Sequence, residues 1–346
     1  MNILIMNDNN IVAVYENNNL EIIDSQRLPI YLLRTCNVEN WLSMRAVDKH
    51  RANSRLLKKA LKLKEKDDIN TVVHVNAVTI TDSYWVKPIG SLFKYEDVRF
   101  DNDLFSDVAL LGDYDSLNKA VNSKQNKSPE LTNIGSFEKC WKLHNGKWWL
   151  YKRANQFEMY SELFAYKLGL SLGMNMAIYE KYDNACIRTR DFTDNAHVNF
   201  EPAYSFMGEE EDYIKTIIEL EKLSPKLVPD YVKMIFLDTI IANPDRHTFN
   251  FGVLRGKDGE ILGIAPNFDN NMALIARGIP KNIERKNDFL VKLFNGLISY
   301  NKDFVNYIPV VSENIISEII TEQKIDSKDK SAIIPFVMNA YNQINI

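Results

Sequence analysis

Asn243-Pro244-Asp245-Arg246-His247-Thr248-Phe249-Asn250 sets a carboxylate and, five positions later, an amide in a loop that follows the apolar helical run Val228 to Ile241. A carboxylate in such a loop can accept the proton of an attacking hydroxyl, and the amide can offer a neutral oxygen to a magnesium ion. Downstream, Asn250 to Leu254 and Glu260 to Ile264 read as strands around Lys257-Asp258-Gly259, whose Asp-Gly favours a hairpin turn. A hairpin returns the chain to its start, so Asp269 in Ala265-Pro266-Asn267-Phe268-Asp269 is expected near Asn250. One charged and one neutral oxygen suit a hard cation that keeps several waters. Taken alone, Asp and Asn at this spacing are ordinary turn formers and caps, so the reading depends on what stands upstream.

Upstream, Thr132 to Ser136 is a small-residue turn, with Gly135 and Ser136 at its end, leading into two short β-rich runs, Ser136 to Leu143 and Lys147 to Lys152. His144-Asn145-Gly146 separates them, and Asn-Gly is a strong hairpin signal because both turn positions tolerate positive φ. Backbone N–H groups in such a turn can cradle phosphate, and Lys152 at the strand end can neutralise it as a point charge. In the following run, Gln156 to Leu172, apolar residues at Phe157, Tyr160, Phe164 and Leu168 mark one stripe of a helix that Gly173 stops. Glu158 and Glu162 stand at i and i+4 on it, and either is placed to hold the Lys152 ammonium. Met176 to Lys181 and Ala185 to Arg190 read as two more strands. From about Thr193 the pattern is mainly helical, over Glu210 to Leu223, Val228 to Ile241, Lys286 to Tyr300, Val311 to Glu322 and Lys328 to Asn342, the last expected to kink or shorten at Pro335.

Small-residue turn, strand lysine, helix glutamate, Asp–Asn loop, hairpin and second Asp follow the order of parts in a protein-kinase-like phosphotransferase. The chain here resembles the HipA-like kinases, bacterial serine/threonine kinases of the toxin type, with distant kinship to phosphatidylinositol kinases. The matching stretches are TNIGSFEKCW (132–141), WWLYK (148–152), EMYSELFAYKLGL (158–170), RTRDFT (188–193), NPDRHTFNFGVL (243–254) and APNFDNN (265–271). The phosphate loop looks closer to a shorter branch with a TNG-type loop, and the first 120 or so residues carry no match.

The resemblance implies an α+β, two-lobed, protein-kinase-like fold with nucleotide between the lobes. It divides the chain into a smaller α+β N-terminal domain over residues 1–125, a β-rich N-lobe over 126–195 and a helical C-lobe over 196–346. It implies ATP and Mg²⁺ as cofactors, Asp245 as catalytic base, Asn250 and Asp269 as metal ligands and Lys152 as the lysine on the ATP phosphates. Gly135 and Ser136 fall in the phosphate loop, Glu158 is favoured over Glu162 as the acidic helix residue, and Ser136 is a candidate for self-phosphorylation. A protein substrate with a Ser or Thr acceptor follows, together with a regulatory or antitoxin protein as partner. Of the neighbouring residues, Arg246 either steadies a phosphate or forms a structural ion pair, and His247 is read as fixing loop shape through the backbone.

Composition bounds the alternatives. With 45% hydrophobic and 25% charged residues the chain is an ordinary globular protein, and 42 basic against 46 acidic residues leave a net charge of −4, too little for a whole-chain pull toward nucleic acid. Three widely spaced cysteines match neither a zinc spacing nor a secreted disulfide framework. The N-terminus lacks a basic leader region and no stretch reads as a membrane span, so a soluble cytoplasmic protein with no membrane partner is expected. Ser43 to Lys66 reads as one basic helix whose cations can either track phosphates or form a solvated face, and Asn118 to Thr132 reads as a polar linker. Two rival functions remain: a lipid or small-molecule kinase on the same core, and a nucleic-acid-binding regulator acting through residues 43–66 with an inactive nucleotide-binding kinase half.

Overall fold

Asn and Asp at positive φ punctuate the first sheet. The computed structural model describes residues 1–47, 51, 53–63, 67–121, 127–135, 137–323 and 327–345. Strands β1 (Ile3–Asn7), β2 (Asn10–Glu16) and β3 (Asn19–Ile22) follow one another, Asn17 (φ 53°) and Asn18 (φ 61°) supplying the tight turn between the last two. With β4 (Tyr84–Pro88) they form an antiparallel sheet in the order β3-β2-β1-β4. Trp85 on β4 is fully buried against Met6, Val78, Tyr95 and Val98. Burying a large apolar side chain contributes about 1.5–3 kcal/mol.

The Asn-Gly hairpin forms with β5 (Lys139–His144) and β6 (Lys147–Arg153) around Asn145 (φ 52°) and Gly146 (φ 73°), pairing Lys139 with Lys152. β7 (Tyr179–Lys181) and β8 (Cys186–Arg190) complete a sheet in the order β5-β6-β8-β7. A third sheet, β11-β10-β9, is built from β9 (Asn199–Pro202), β10 (Gly252–Arg255) and β11 (Ile261–Ile264); the last two are the expected Asp-Gly hairpin. The architecture is α+β, as expected.

The chain divides into two compact units: Met1–Arg153 with Arg188–Glu201 and Leu254–Leu262, and Ala154–Ile187 with Pro202–Val253 and Gly263–Ile346. The hairpin β5–β6 thus groups with the first 121 residues. Residues 122–126, where the sequence sets its first boundary, lie outside the described residues. The polar-linker reading of 118–132 needs correcting at both ends. Asn118 to Val121 close a helix, Tyr114–Val121, and Pro129–Thr132 is a buried 3₁₀ turn.

The single basic helix over residues 43–66 is also overturned. One helix ends at Ser43, Met44 to Val47 are not helical, and a second helix spans only Ser54–Ala60. Tertiary contacts override the local periodicity here: Arg45 is buried, with Nη2 2.7 Å from Asp82 Oδ1 and further bonds to the Ala77 and Tyr84 carbonyls. Arg51 is only 2% exposed. Asp48, Lys49, His50, Ala52, Lys64, Glu65 and Lys66 lie outside the described residues.

In the second unit the helices fall close to their expected ranges: Gln156–Ser171, Tyr213–Leu223, Val228–Ile241, Phe289–Tyr300, Glu313–Glu322 and Ser327–Tyr341. Val228–Ile241 is buried on nearly every side, with Phe236 meeting the rings of Phe294 and Tyr341. The last helix runs on through Pro335 rather than ending there. Burial of Ile333, Phe336, Val337 and Ala340 on either side of the proline offsets the hydrogen bond it removes.

Candidate active site

Asp238 is a carboxylate on the buried part of the helix Val228–Ile241, 1% exposed, and such a charge survives burial only when paired. Its partner comes from the loop that follows. The helix ends on Ala242 in the left-handed region (φ 54°), and Asn243 then bonds back, its Nδ2 donating to Asp238 Oδ1 (2.8 Å) while its own Oδ1 accepts the Asp245 N–H (3.2 Å). This local turn brings Arg246 over the helix. Its Nε and Nη2 grip both Asp238 oxygens, at 2.8 and 3.0 Å.

The remaining donors of Arg246 reach two other segments. Nη1 donates to the carbonyls of Asn250 and Phe268, each at 2.6 Å, and Nη2 to the side-chain oxygens of Asn267 (2.9 Å) and Asn270 (2.8 Å). Burial works against the guanidinium charge, but Asp238 outweighs it and holds the pKa above its ordinary value. All five N–H donors therefore face protein acceptors, which settles the earlier alternative: Arg246 is a structural ion pair. It staples the Asp–Asn loop to the segment after the hairpin.

Asp245, Asn250 and Asp269 are brought together by that staple. Asn250 Nδ2 donates to the Asp245 carbonyl (2.7 Å), which fixes the amide with Oδ1 turned away as an acceptor. Asp269 sits at φ 62°, and its N–H donates to the Tyr179 hydroxyl (3.1 Å). Asp245, half-buried, is pushed up from the usual Asp range first by burial, against the pull of His247, and further by the Asp269 charge. The Tyr179 phenol is raised well above its ordinary value by burial and then by Glu162 and Asp269. The Asp269 carboxylate and the Asn250 amide oxygen are the hard oxygen donors that a divalent cation of magnesium type takes, with the Asp245 carboxylate close enough to feel the Asp269 charge. His247 shapes the loop, its Nδ1 accepting the Phe249 N–H at 3.2 Å.

The two helix glutamates differ in place. Glu158 is half-exposed in a capping box, Oε2 accepting the Asn155 N–H (2.8 Å) while Asn155 Oδ1 accepts the Glu158 N–H (3.0 Å). Glu162 is 1% exposed, and its Oε1 accepts the Asn270 N–H at 2.9 Å. Through Asn270, Glu162 joins the Arg246 assembly.

In the other unit, Lys152 is buried on β6, and Lys139, directly opposite it on β5, shares its face of the sheet. Like charges in register favour an anion beside them. The sequence reading missed Lys139, although the turn at Asn145-Gly146 sets the register that pairs it with Lys152. Gly135 has φ 107°, a conformation L side chains rarely adopt, and a Cβ there would collide with the Lys139 ammonium. Ser136 lies outside the described residues. The expected strand beginning at Ser136 instead starts at Lys139.

Glu130, just before the loop, is fully buried and accepts the Trp141 N–H (2.6 Å) and the Asn133 amide (2.9 Å). Burial pushes its pKa up to about 7, against the pull of those bonds and of Arg51 and Lys139. A carboxyl raised on folding contributes stability in its protonated form, fully present below about pH 4 and lost as pH climbs through about 7. Wild type should therefore lose roughly 3 kcal/mol from Glu130 across that window. Urea melts of wild type and Glu130→Gln from pH 4 to 8 check this: the difference between them should grow with pH, and parallel curves would refute it.

No protein-family model matches the sequence, and no curated protein matches it. Solved structures do. The toxin–antitoxin system of Shewanella oneidensis MR-1, HipA with HipB and operator DNA, aligns over 99% of this chain and 96% of that one, with TM-score 0.54 and 11% identity. This is a HipA-like fold. The Helicobacter pylori proinflammatory kinase CtkA aligns over 60% of this chain and 90% of that one, with TM-score 0.45 and 17% identity. The HipA-like likeness extends to the first 120 residues, where the sequence alone carries no match. No helix among the described residues is long and apolar enough to cross a membrane.

Proposed function

We propose that this chain is an ATP- and magnesium-dependent phosphotransferase of HipA-like kinase type, acting on a serine or threonine hydroxyl of a protein. The observation that carries the reading is the meeting of Asp245, Asn250 and Asp269 from either side of a hairpin, held by one buried guanidinium. In the proposed step the acceptor oxygen forms a bond to the γ-phosphorus, the bond from that phosphorus to the ADP oxygen breaks, and the acceptor proton passes to Asp245. Lys152, with Gly135 and Ser136 of the preceding loop, is assigned to the phosphates, and Asn250 and Asp269 to the metal. A bound magnesium ion supplies neutralising charge for the triphosphate oxygens. Most of the rate then comes from positioning and electrostatics rather than covalent chemistry.

Incubating the full chain with Mg²⁺ and labelled ATP, with separate protein, lipid and small-molecule pools, tests the class of acceptor. Label in protein alone supports the proposal; label in another pool favours the rival kinase, and none in any pool removes the activity. Asp269→Asn should weaken MgATP binding by about tenfold or more, since it removes the one charged side chain assigned to the cation. Titration of MgATP into wild type and variant checks it, and equal affinities would take Asp269 out of the metal site. The Shewanella structure contains HipB and operator DNA, and a regulatory protein of antitoxin type is the partner we propose for this chain. Direct nucleic-acid binding through residues 43–66 is less favoured, because Arg45 and Arg51 are spent on internal bonds.

A further inference from the structure

Arg51 belongs to the basic stretch that no part of the reading above uses. Its guanidinium is buried against Asn133 and Gly135: Nη2 donates to the carbonyls of Asn133 (2.6 Å) and Gly135 (3.1 Å), and Nε to Gly135 again (3.2 Å). Nη1 reaches the Lys139 carbonyl at 3.4 Å. Three carbonyls of one short loop thus converge on a single planar cation. In a trans peptide the N–H points opposite to the C=O, so drawing the Asn133 oxygen onto the guanidinium turns the Ile134 N–H of the same peptide away from it. Outward N–H groups in a loop form an anion-binding concavity.

A second anchor acts on the same loop. Asn133 donates its side-chain amide to buried Glu130, and Glu130 also accepts the N–H of Trp141 on β5. Asn133 and Trp141 are therefore tied to one buried carboxylate, and the Lys139 ammonium lies where a side chain on Gly135 would stand. Guanidinium-to-carbonyl bonds are charge-assisted, and Arg51 satisfies the buried Asn133 oxygen together with two part-buried ones.

We propose that Arg51 is the positioning residue of the phosphate loop, holding the Asn133 and Gly135 carbonyls so that the Ile134 N–H is directed at the phosphates of ATP. The inference rests on the kinase reading above and adds to it the residue that shapes the nucleotide site. A lysine at this position keeps the charge and the buried stem but lacks the planar fork that reaches three carbonyls.

The test uses the full chain with MgATP as the probe. Wild type is titrated first: no binding and no turnover would defeat the kinase reading itself, separately from this inference. With wild type active, Arg51→Lys and Arg51→Gln should raise the KM for ATP by ~10–100-fold, the scale of losing one or two charge-assisted bonds, while kcat changes less than ~3-fold. Gly135→Ala should raise KM in the same direction, because it disturbs the same loop without emptying a buried site. A purely structural Arg51 would instead lower the melting temperature and the active fraction with KM unmoved. That outcome, or failure of both Arg51 variants to fold while Gly135→Ala leaves KM at the wild-type value, overturns the proposal.

Discussion

Asp245→Asn is expected to lower turnover by ~10²–10⁴-fold, the range general-base catalysis supplies, with MgATP affinity little changed. The substitution keeps the shape and one acceptor oxygen of the side chain, so the loop bonds of Asn243 and Asn250 to the Asp245 backbone remain. In the proposed mechanism it removes the site that receives the acceptor's proton. Burial and the Asp269 charge raise the Asp245 pKa above the ordinary Asp value, bringing the base nearer to operating pH. Wild-type turnover should rise with pH as Asp245 deprotonates, and the variant should lose that acid limb. Single-turnover phosphorylation across pH, with MgATP binding measured in parallel, checks both parts. A variant that turns over like wild type would strip Asp245 of its role.

The second large effect concerns stability. Arg246→Met leaves Asp238 buried without its cation and frees the carbonyls of Asn250 and Phe268 that Arg246 holds 2.6 Å away. Breaking a buried pair on one side costs about 3–5 kcal/mol, far more than an exposed bridge contributes. Urea unfolding should show a loss of that size. Asp238→Asn in the same chain should recover part of it, because the uncompensated charge is gone. The fraction of Arg246→Met that stays folded should still phosphorylate poorly, since Asp245 and Asp269 are no longer stapled to one another's segments. A loss below about 1 kcal/mol would mean that the pair is solvated or replaced by other bonds.

Much of this arrangement is legible in the order of residues. Asn145-Gly146 and Asp258-Gly259 announce hairpins because turn chemistry is local, and the apolar run from Val228 to Ile241 announces its helix because periodicity is local too. The hairpin between Asn250 and Asp269 makes their approach a matter of strand pairing. Legibility fails where one segment is covered by another. Residues 43–66 satisfy a helical pattern, yet Arg45 leaves it to meet Asp82 and Arg51 to meet Asn133, partners dozens of positions away. Glu162, which pattern alone treats as the equal of Glu158, is buried because Asn270 folds onto it from 108 positions downstream.

The sequence by itself determined the two hairpins, the helices of the second unit, the placing of Asp245 with Asn250 in one loop, and the lysine at the end of β6. Only the tertiary structure decided which charges are buried: Asp238 with Arg246, Glu130 beside the loop, and Arg51 beneath it. Turn and helix preferences arise from dihedral sterics and neighbours within a few residues. Desolvation depends on every segment that packs over a group, and no short window of sequence contains that information.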